Sequence, residues 1–112
     1  MIPAPLRARL LANGRKTAAG MEIDPYPVVK VFAPGGSATW LLTELDPDEP
    51  DRAFGLADLG LGMPELGYVS ISELKACRTR LGLLLEVDRY FVARQRLSEC
   101  ASDARAHGRI VA

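Results

Sequence analysis

A dense run of carboxylates lies near the middle of the sequence. Between positions 44 and 58 six acidic side chains accompany a single base, Arg52, so this stretch carries a net charge of −5. The six acidic residues are Glu44, Asp46, Asp48, Glu49, Asp51 and Asp58. Carboxylates at this density can hold a hard cation through oxygen ligands or present a negative surface to a basic partner. The simpler alternative is a solvated surface loop.

The spacing of these acids excludes a calcium-binding loop of the EF-hand type. Counted from Asp46, the position of the turn glycine holds Asp51, and the twelfth position holds Ala57 instead of an acid. A less regular metal site of a hydrolase or nuclease stays open, because clustered carboxylates can hold Mg²⁺ without histidine. Its candidate ligands are Glu44, Asp46, Asp58 and Glu65.

Side chains that usually act as nucleophile, general acid and general base are scarce. His107 is the only histidine, and Cys77 and Cys100 form no CxxC pair. The glycines match neither the dinucleotide-binding pattern nor the phosphate-loop pattern. We therefore expect a binding protein that needs no cofactor, with the carboxylate-metal enzyme as the alternative.

Composition sets the size and class of the molecule. The chain has 112 residues, with 14 basic and 14 acidic side chains and 48% hydrophobic residues, which is typical of one globular domain. Arg7 and Arg9 interrupt the apolar start that a signal peptide requires, and no apolar run is long enough to span a bilayer. We therefore expect a cytoplasmic protein without membrane contact.

Hydrophobic spacing and turn residues predict the elements that position the acidic run. Ser70 and Glu73 have the spacing of a capping box, so a helix is expected to begin at Ser70 and to end near Arg78. The remaining predicted elements are a helix over 4–13 that ends at Asn13-Gly14, a loop over 15–26, strands over 28–32, 38–45, 53–59, 66–70 and 84–92, and a helix over 94–106.

These elements predict a single α+β domain over residues 1–112. Its parts are an N-terminal helix and loop (1–20), a sheet-rich core with a short helix (27–92) and a C-terminal helix (94–106). The turns between the middle strands are too short for parallel crossovers, so we expect an antiparallel sheet of four to five strands. The flanking helices are expected to cover one face of this sheet.

Several segments resemble one bacterial family, the domain of unknown function 2958. They are Thr39–Asp46 (TWLLTELD), Phe54–Gly60 (FGLADLG), Glu65–Ser70 (ELGYVS), Glu73-Leu74, Gly82-Leu83, Glu86 and Asp88-Arg89. The resemblance covers nearly the whole chain and brings no catalytic residues with it. It implies a small cytoplasmic accessory protein of plasmids and integrative conjugative elements, which suggests an anti-defence inhibitor, against CRISPR or restriction, or a regulator that acts by binding.

We expect the partner to dock on the face that carries the acidic loop. The predicted partner-binding residues are Glu44, Asp46, Asp48, Glu49, Asp51, Asp58, Glu65 and Tyr68. Such a face would attract a basic host or element protein, for example one that itself binds nucleic acid. The competing prediction is a nucleic-acid-binding module in which arginines of the two terminal helices, among them Arg94, Arg96 and Arg105, share one face.

Overall fold

The computed structural model describes residues 1–112 as three helices and five strands. In chain order these are α1 (Ala4–Ala18), β1 (Val29–Phe32), β2 (Thr39–Leu45), β3 (Arg52–Asp58), β4 (Glu65–Ser70), α2 (Ile71–Ala76), β5 (Glu86–Val87) and α3 (Leu97–His107). None of the helices is both long and apolar enough to cross a bilayer.

The five strands form one antiparallel sheet in the order β4-β3-β2-β1-β5. The predicted α+β class and the antiparallel sheet are therefore confirmed. Strands β1 to β4 follow one another as a meander, because each connection is a short loop. This order leaves β4 and the two-residue β5 as the edges of the sheet, so β4 is the only edge strand of substantial length.

Helices cover both faces of the sheet, so the prediction that they cover one face is wrong. Trp40 and Leu42 pack with Leu10 of α1 and Leu74 of α2 in one apolar cluster. The alternating residue Leu41 packs with α3 and Ile110 in a second cluster. Successive side chains of a strand point to opposite faces of the sheet, and β2 carries apolar side chains on both faces. We call the α1 side the first face and the α3 side the second face.

The first helix runs past Asn13-Gly14, where the sequence predicted its end. Asn13 donates from Nδ2 to the carbonyl of Thr43 over 2.9 Å. A Cβ built on Gly14 would lie 1.7 Å from the carbonyl oxygen of Leu45. Glycine at position 14 therefore allows the helix to lie directly against β2, and residues 15–18 of the predicted loop are helical.

The structure confirms the hydrogen bond by which Ser70 caps the start of α2. The amide of Glu73 donates to Ser70 Oγ over 3.2 Å, and the helix begins at Ile71. It ends at Ala76, two residues earlier than predicted, because Cys77 has extended backbone angles. The guanidinium of Arg78 folds back to donate to the carbonyls of residues 75–77, which satisfies the end of the helix.

Of the predicted last strand, 84–92, only Glu86 and Val87 join the sheet. After Val87 the chain turns, because the amide of Tyr90 donates to Asp88 Oδ1 over 2.9 Å and ends the pairing with β1. The final helix begins at Leu97, three residues later than predicted. Asp24, distant in sequence, accepts the amide of Ser98 over 3.0 Å and so determines where the helix begins.

Candidate functional site

The edge strand β4 exposes side chains and backbone groups together. Tyr68 is 58% exposed and Leu66 is 39% exposed, and both project from the second face. The ladder between β3 and β4 has no bulge, and β4 contains neither lysine nor proline. Bulges, lysines and prolines commonly protect a strand edge from further pairing, and β4 has none of them. The strand is therefore a regular and accessible edge.

The alternation of hydrogen-bonded pairs between β3 and β4 shows which backbone groups of β4 point away from the sheet. Ile71 donates from its amide to the carbonyl of Asp51 over 2.8 Å, which continues the ladder beyond the strand. Hydrogen-bonded pairs alternate along antiparallel strands, so Leu66 and Tyr68 direct their N–H and C=O groups away from β3. No hydrogen bond outside the sheet ladder engages these groups. A hypothetical Cβ on Gly67 would also meet nothing within 4 Å, so the adjacent space is open.

An aromatic and cationic cluster lies on the second face next to this edge. Phe54 and Tyr68 face each other across the β3–β4 ladder, with ring centroids 5.1 Å apart in an edge-to-face arrangement. The guanidinium carbon of Arg52 lies 3.8 Å from the centroid of the Tyr68 ring. This contact is a cation–π interaction on an exposed ring.

Two hollows flank this cluster, and carboxylates line both of them. Arg52 and Tyr68 line each hollow, so the pair forms the ridge between them. The carboxylates, which we call the acidic rim, are Glu49, Asp51 and Glu73 in one hollow and Glu44, Asp46 and Asp48 in the other. The open edge of β4, the Arg52–Phe54–Tyr68 cluster and the acidic rim together form the candidate site.

Half of the acidic rim already makes hydrogen bonds within the fold. Glu44 accepts the hydroxyl of Thr17 over 2.6 Å, and Asp46 accepts the amide of Asp48 over 2.9 Å. Asp51 accepts three hydrogen bonds, which come from Ser70 Oγ and from the amide and hydroxyl of Ser72. These bonds, chiefly that from Ser70 Oγ, lower the pKa of Asp51 below its ordinary value. Asp51 is therefore ionised at neutral pH.

The other half of the rim is free to meet a partner. Asp48, Glu49 and Glu73 are exposed, and their carboxylates make no hydrogen bond and no ion pair. They lie on two sides of the Arg52–Tyr68 ridge. A cationic chain that approaches the β4 edge would meet unpaired negative charge from both directions.

Two of the predicted site residues are not part of this site. Asp58 is only 2% exposed, and its carboxylate accepts the amides of Gly60 and Ile110 over 2.8 and 3.0 Å. The prediction that Asp58 meets a partner is therefore wrong, since it holds two backbone segments together. Glu65 is exposed at the start of β4 but lines neither hollow.

The four carboxylates considered as metal ligands do not come together. Asp58 pairs with Thr39 at one end of the β2–β3 hairpin, whereas Asp46 follows Leu45 at the other end. Six strand residues separate these positions, a distance of about 20 Å at the usual rise of a strand. No group of three or more histidine, cysteine or acidic side chains is arranged to hold a metal ion.

The arginines of the terminal helices also do not form one surface. Leu10 places α1 on the first face of the sheet, and Leu97 places α3 on the second. The guanidinium of Arg96 donates to the carbonyl of Asp24 over 2.9 Å and lies over the ring of Tyr26. The shared basic face that the nucleic-acid hypothesis requires is therefore not formed.

Sequence reasoning missed Arg52 and Phe54 as site residues. Arg52 is visible in the sequence as the only base of the acidic run, and Arg52 and Phe54 have the period-2 spacing of one strand face. Their contact with Tyr68 depends on the register of β3 against β4, which no local pattern specifies. Glu73 was identified only as a helix-capping residue.

The chain belongs to the family described as Protein of unknown function (DUF2958), whose model matches residues 1–111. The match covers essentially the whole chain and confirms the family resemblance. No curated protein and no solved structure matches the chain significantly.

Proposed function

We propose that the protein is a non-catalytic binding module that captures an extended, basic segment of a partner protein at the edge of β4. The single observation that carries this proposal is the open hydrogen-bonding edge at Leu66 and Tyr68. An extended chain laid along β4 would add a sixth strand, with affinity from the main-chain hydrogen bonds. Side chains beside Leu66 and Tyr68 would then supply specificity.

The charge of the surroundings supports a basic partner. Six rim carboxylates surround the edge, and Arg52 is the one cation of the two hollows. Asp48, Glu49 and Glu73 have no internal partner, so a cationic segment would pair with them without displacing an existing bond. Like-charged segments would be repelled, and association would weaken with added salt.

The biological setting comes from the family resemblance. We propose that the protein is an accessory protein of a mobile genetic element, an anti-defence inhibitor or a regulator in the cytoplasm of its host. Its partner is a host or element protein with a basic segment, of the kind that proteins use to bind nucleic acid. An acidic edge would occupy such a segment in place of phosphates.

A single variant tests the edge. Leu66→Pro removes the outward N–H at a position that does not donate to β3, so the sheet keeps its ladder. Leu66→Thr is the matched control, because it removes the same side chain and keeps the N–H group. We expect capture of a partner from host lysate to fall with Leu66→Pro well below the level with Leu66→Thr.

Hydrogen exchange then locates the contact on the identified partner. A synthetic peptide of the captured segment should slow exchange of the Leu66 and Tyr68 amides in the unaltered protein. Equal capture by the two Leu66 variants, together with unchanged exchange at these amides, would disprove strand addition. Substituting Asp48→Asn and Glu49→Gln together should weaken capture, whereas Glu86→Gln, on β5 at the opposite edge of the sheet, should not.

A further inference from the structure

We propose that Arg52 occupies, in the free protein, the place on the Tyr68 ring that an arginine side chain of the partner takes in the complex. The ring face that Arg52 covers is the specificity pocket of the β4 edge. This inference rests on the proposed capture of a basic segment and names the residue type that the segment carries. Arg52 would leave the ring when the partner's arginine arrives.

The contacts of Arg52 are the first argument. Its guanidinium carbon lies 3.8 Å from the centroid of the Tyr68 ring, yet the side chain makes no hydrogen bond and no ion pair. The only ion pair between two side chains joins Lys30 and Asp88. Arg52 is thus held by one exposed cation–π contact, which is a weak interaction that a competing cation can replace.

The surroundings of Tyr68 are the second argument. The ring lies between two hollows that contain three carboxylates each, and the Phe54 ring packs against it. Arginine suits this arrangement better than lysine, because its planar group stacks on a ring while its fork of N–H donors reaches carboxylates on either side. The hollows can therefore receive both the ring-stacked cation and the displaced Arg52.

Strand geometry is the third argument. Residues 66, 68 and 70 share the second face of the sheet. In a strand added beside β4, every second side chain lies on that same face, and the one opposite Tyr68 comes within contact distance. The partner segment therefore carries an arginine opposite Tyr68, where its guanidinium can stack on the ring.

The experiment compares two variants that remove the same charge. Arg52→Gln uncovers the ring, whereas Lys75→Gln removes a positive charge from α2 at a position that lines neither hollow. The probe is an acetylated and amidated hexapeptide of alternating threonine and arginine, and its dissociation constant is measured by calorimetry. We expect Arg52→Gln to bind it about fivefold more tightly than Lys75→Gln, the size of one exposed cation–π contact.

The Tyr68→Leu background separates the ring from simple electrostatics. In that background the affinity difference between Arg52→Gln and Lys75→Gln should shrink, since no ring remains to be uncovered and only the different positions of the two charges are left. Equal affinities of the two variants with Tyr68 present, or weaker binding by Arg52→Gln, would overturn the inference. Thermal unfolding of each variant shows whether the fold is retained.

A small probe distinguishes failure of this inference from failure of strand addition. Arginine amide has no chain to pair with β4, and its binding can be followed through the ring proton shifts of Tyr68. Saturable shifts with Arg52→Gln that are much weaker with Lys75→Gln, in which Arg52 still covers the ring, support the ring pocket, even if the hexapeptide leaves the Leu66 and Tyr68 amides unprotected. Absence of these shifts with Arg52→Gln overturns the ring pocket, whatever the hexapeptide does.

Discussion

Asp51 and Ser70 join two ends of the candidate site, because Ser70 Oγ donates to Asp51 Oδ2 over 2.6 Å across 19 positions of sequence. The same carboxylate also accepts the amide of Ser72 over 2.8 Å, in the first turn of α2. One residue of the acidic loop therefore determines how α2 leaves the edge strand. The loop that we expect to attract a partner is held in place by the helix beside it.

Asp51→Asn should lower the thermal midpoint at neutral pH. The pKa of Asp51 is lowered in the folded state, chiefly by the Ser70 hydroxyl. A lowered pKa contributes stability above the unfolded value, which is about 3.9 for aspartate, and this contribution is lost as the pH falls below it. The difference between Asp51→Asn and the parent should therefore shrink from pH 7 to pH 3 in thermal scans. Asp48→Asn, whose carboxylate makes no hydrogen bond, should leave the thermal midpoint at pH 7 close to that of the parent.

Gly14→Ala should destabilise the fold through backbone contact between α1 and β2. The added Cβ would lie 1.7 Å from the carbonyl oxygen of Leu45, so the helix must shift. Overpacking of this kind costs about 1–3 kcal/mol, which denaturant titration can measure. Gly67→Ala is the control, because nothing lies within 4 Å of the corresponding Cβ. A neutral Gly14→Ala would contradict the close approach of helix and strand.

Asp58→Ala should loosen the segment that follows α3. It leaves the buried amide of Ile110 without the acceptor that lies 3.0 Å away. An unsatisfied buried donor costs about 1–3 kcal/mol, so both the free energy of unfolding and the exchange protection of Ile110 should fall. Partner capture should change less than with Asp48→Asn and Glu49→Gln, since Asp58 is buried away from the rim. If Asp58→Ala abolished partner capture without lowering stability, Asp58 would have to contact the partner directly.

Asp24→Ala should fray the beginning of α3. Asp24 accepts the amide of Ser98 over 3.0 Å and also the hydroxyl of that residue. Loss of an N-terminal cap costs about 1 kcal/mol, and amide exchange in residues 97–100 should accelerate. Glu22→Gln, a neighbouring exposed acid without such a bond, should leave exchange in α3 unchanged. Unaltered exchange with Asp24→Ala would show that the cap does not control the helix end.

The sequence by itself determined the fold class, the antiparallel character of the sheet and the start of α2. These features depend on local patterns: the strand-favouring, mostly apolar residues of Thr39–Leu45, prolines and glycines between strands, and the spacing of Ser70 and Glu73. The acidic run was equally visible, because charge density needs no tertiary information. Phe54 and Tyr68 lie in segments that also carry the family resemblance.

Tertiary structure alone decided which of these residues act together. Two apolar faces of β2 admit helices on both sides, and a local pattern does not say where each helix packs. Asp58 is buried and Glu49 is exposed although both are carboxylates, because Asp58 accepts the amide of Ile110, which is 52 positions away in sequence. The register of β3 against β4 placed Arg52 over Tyr68. Register and burial depend on contacts across the chain, and for that physical reason the open edge of β4 emerged only from the folded protein.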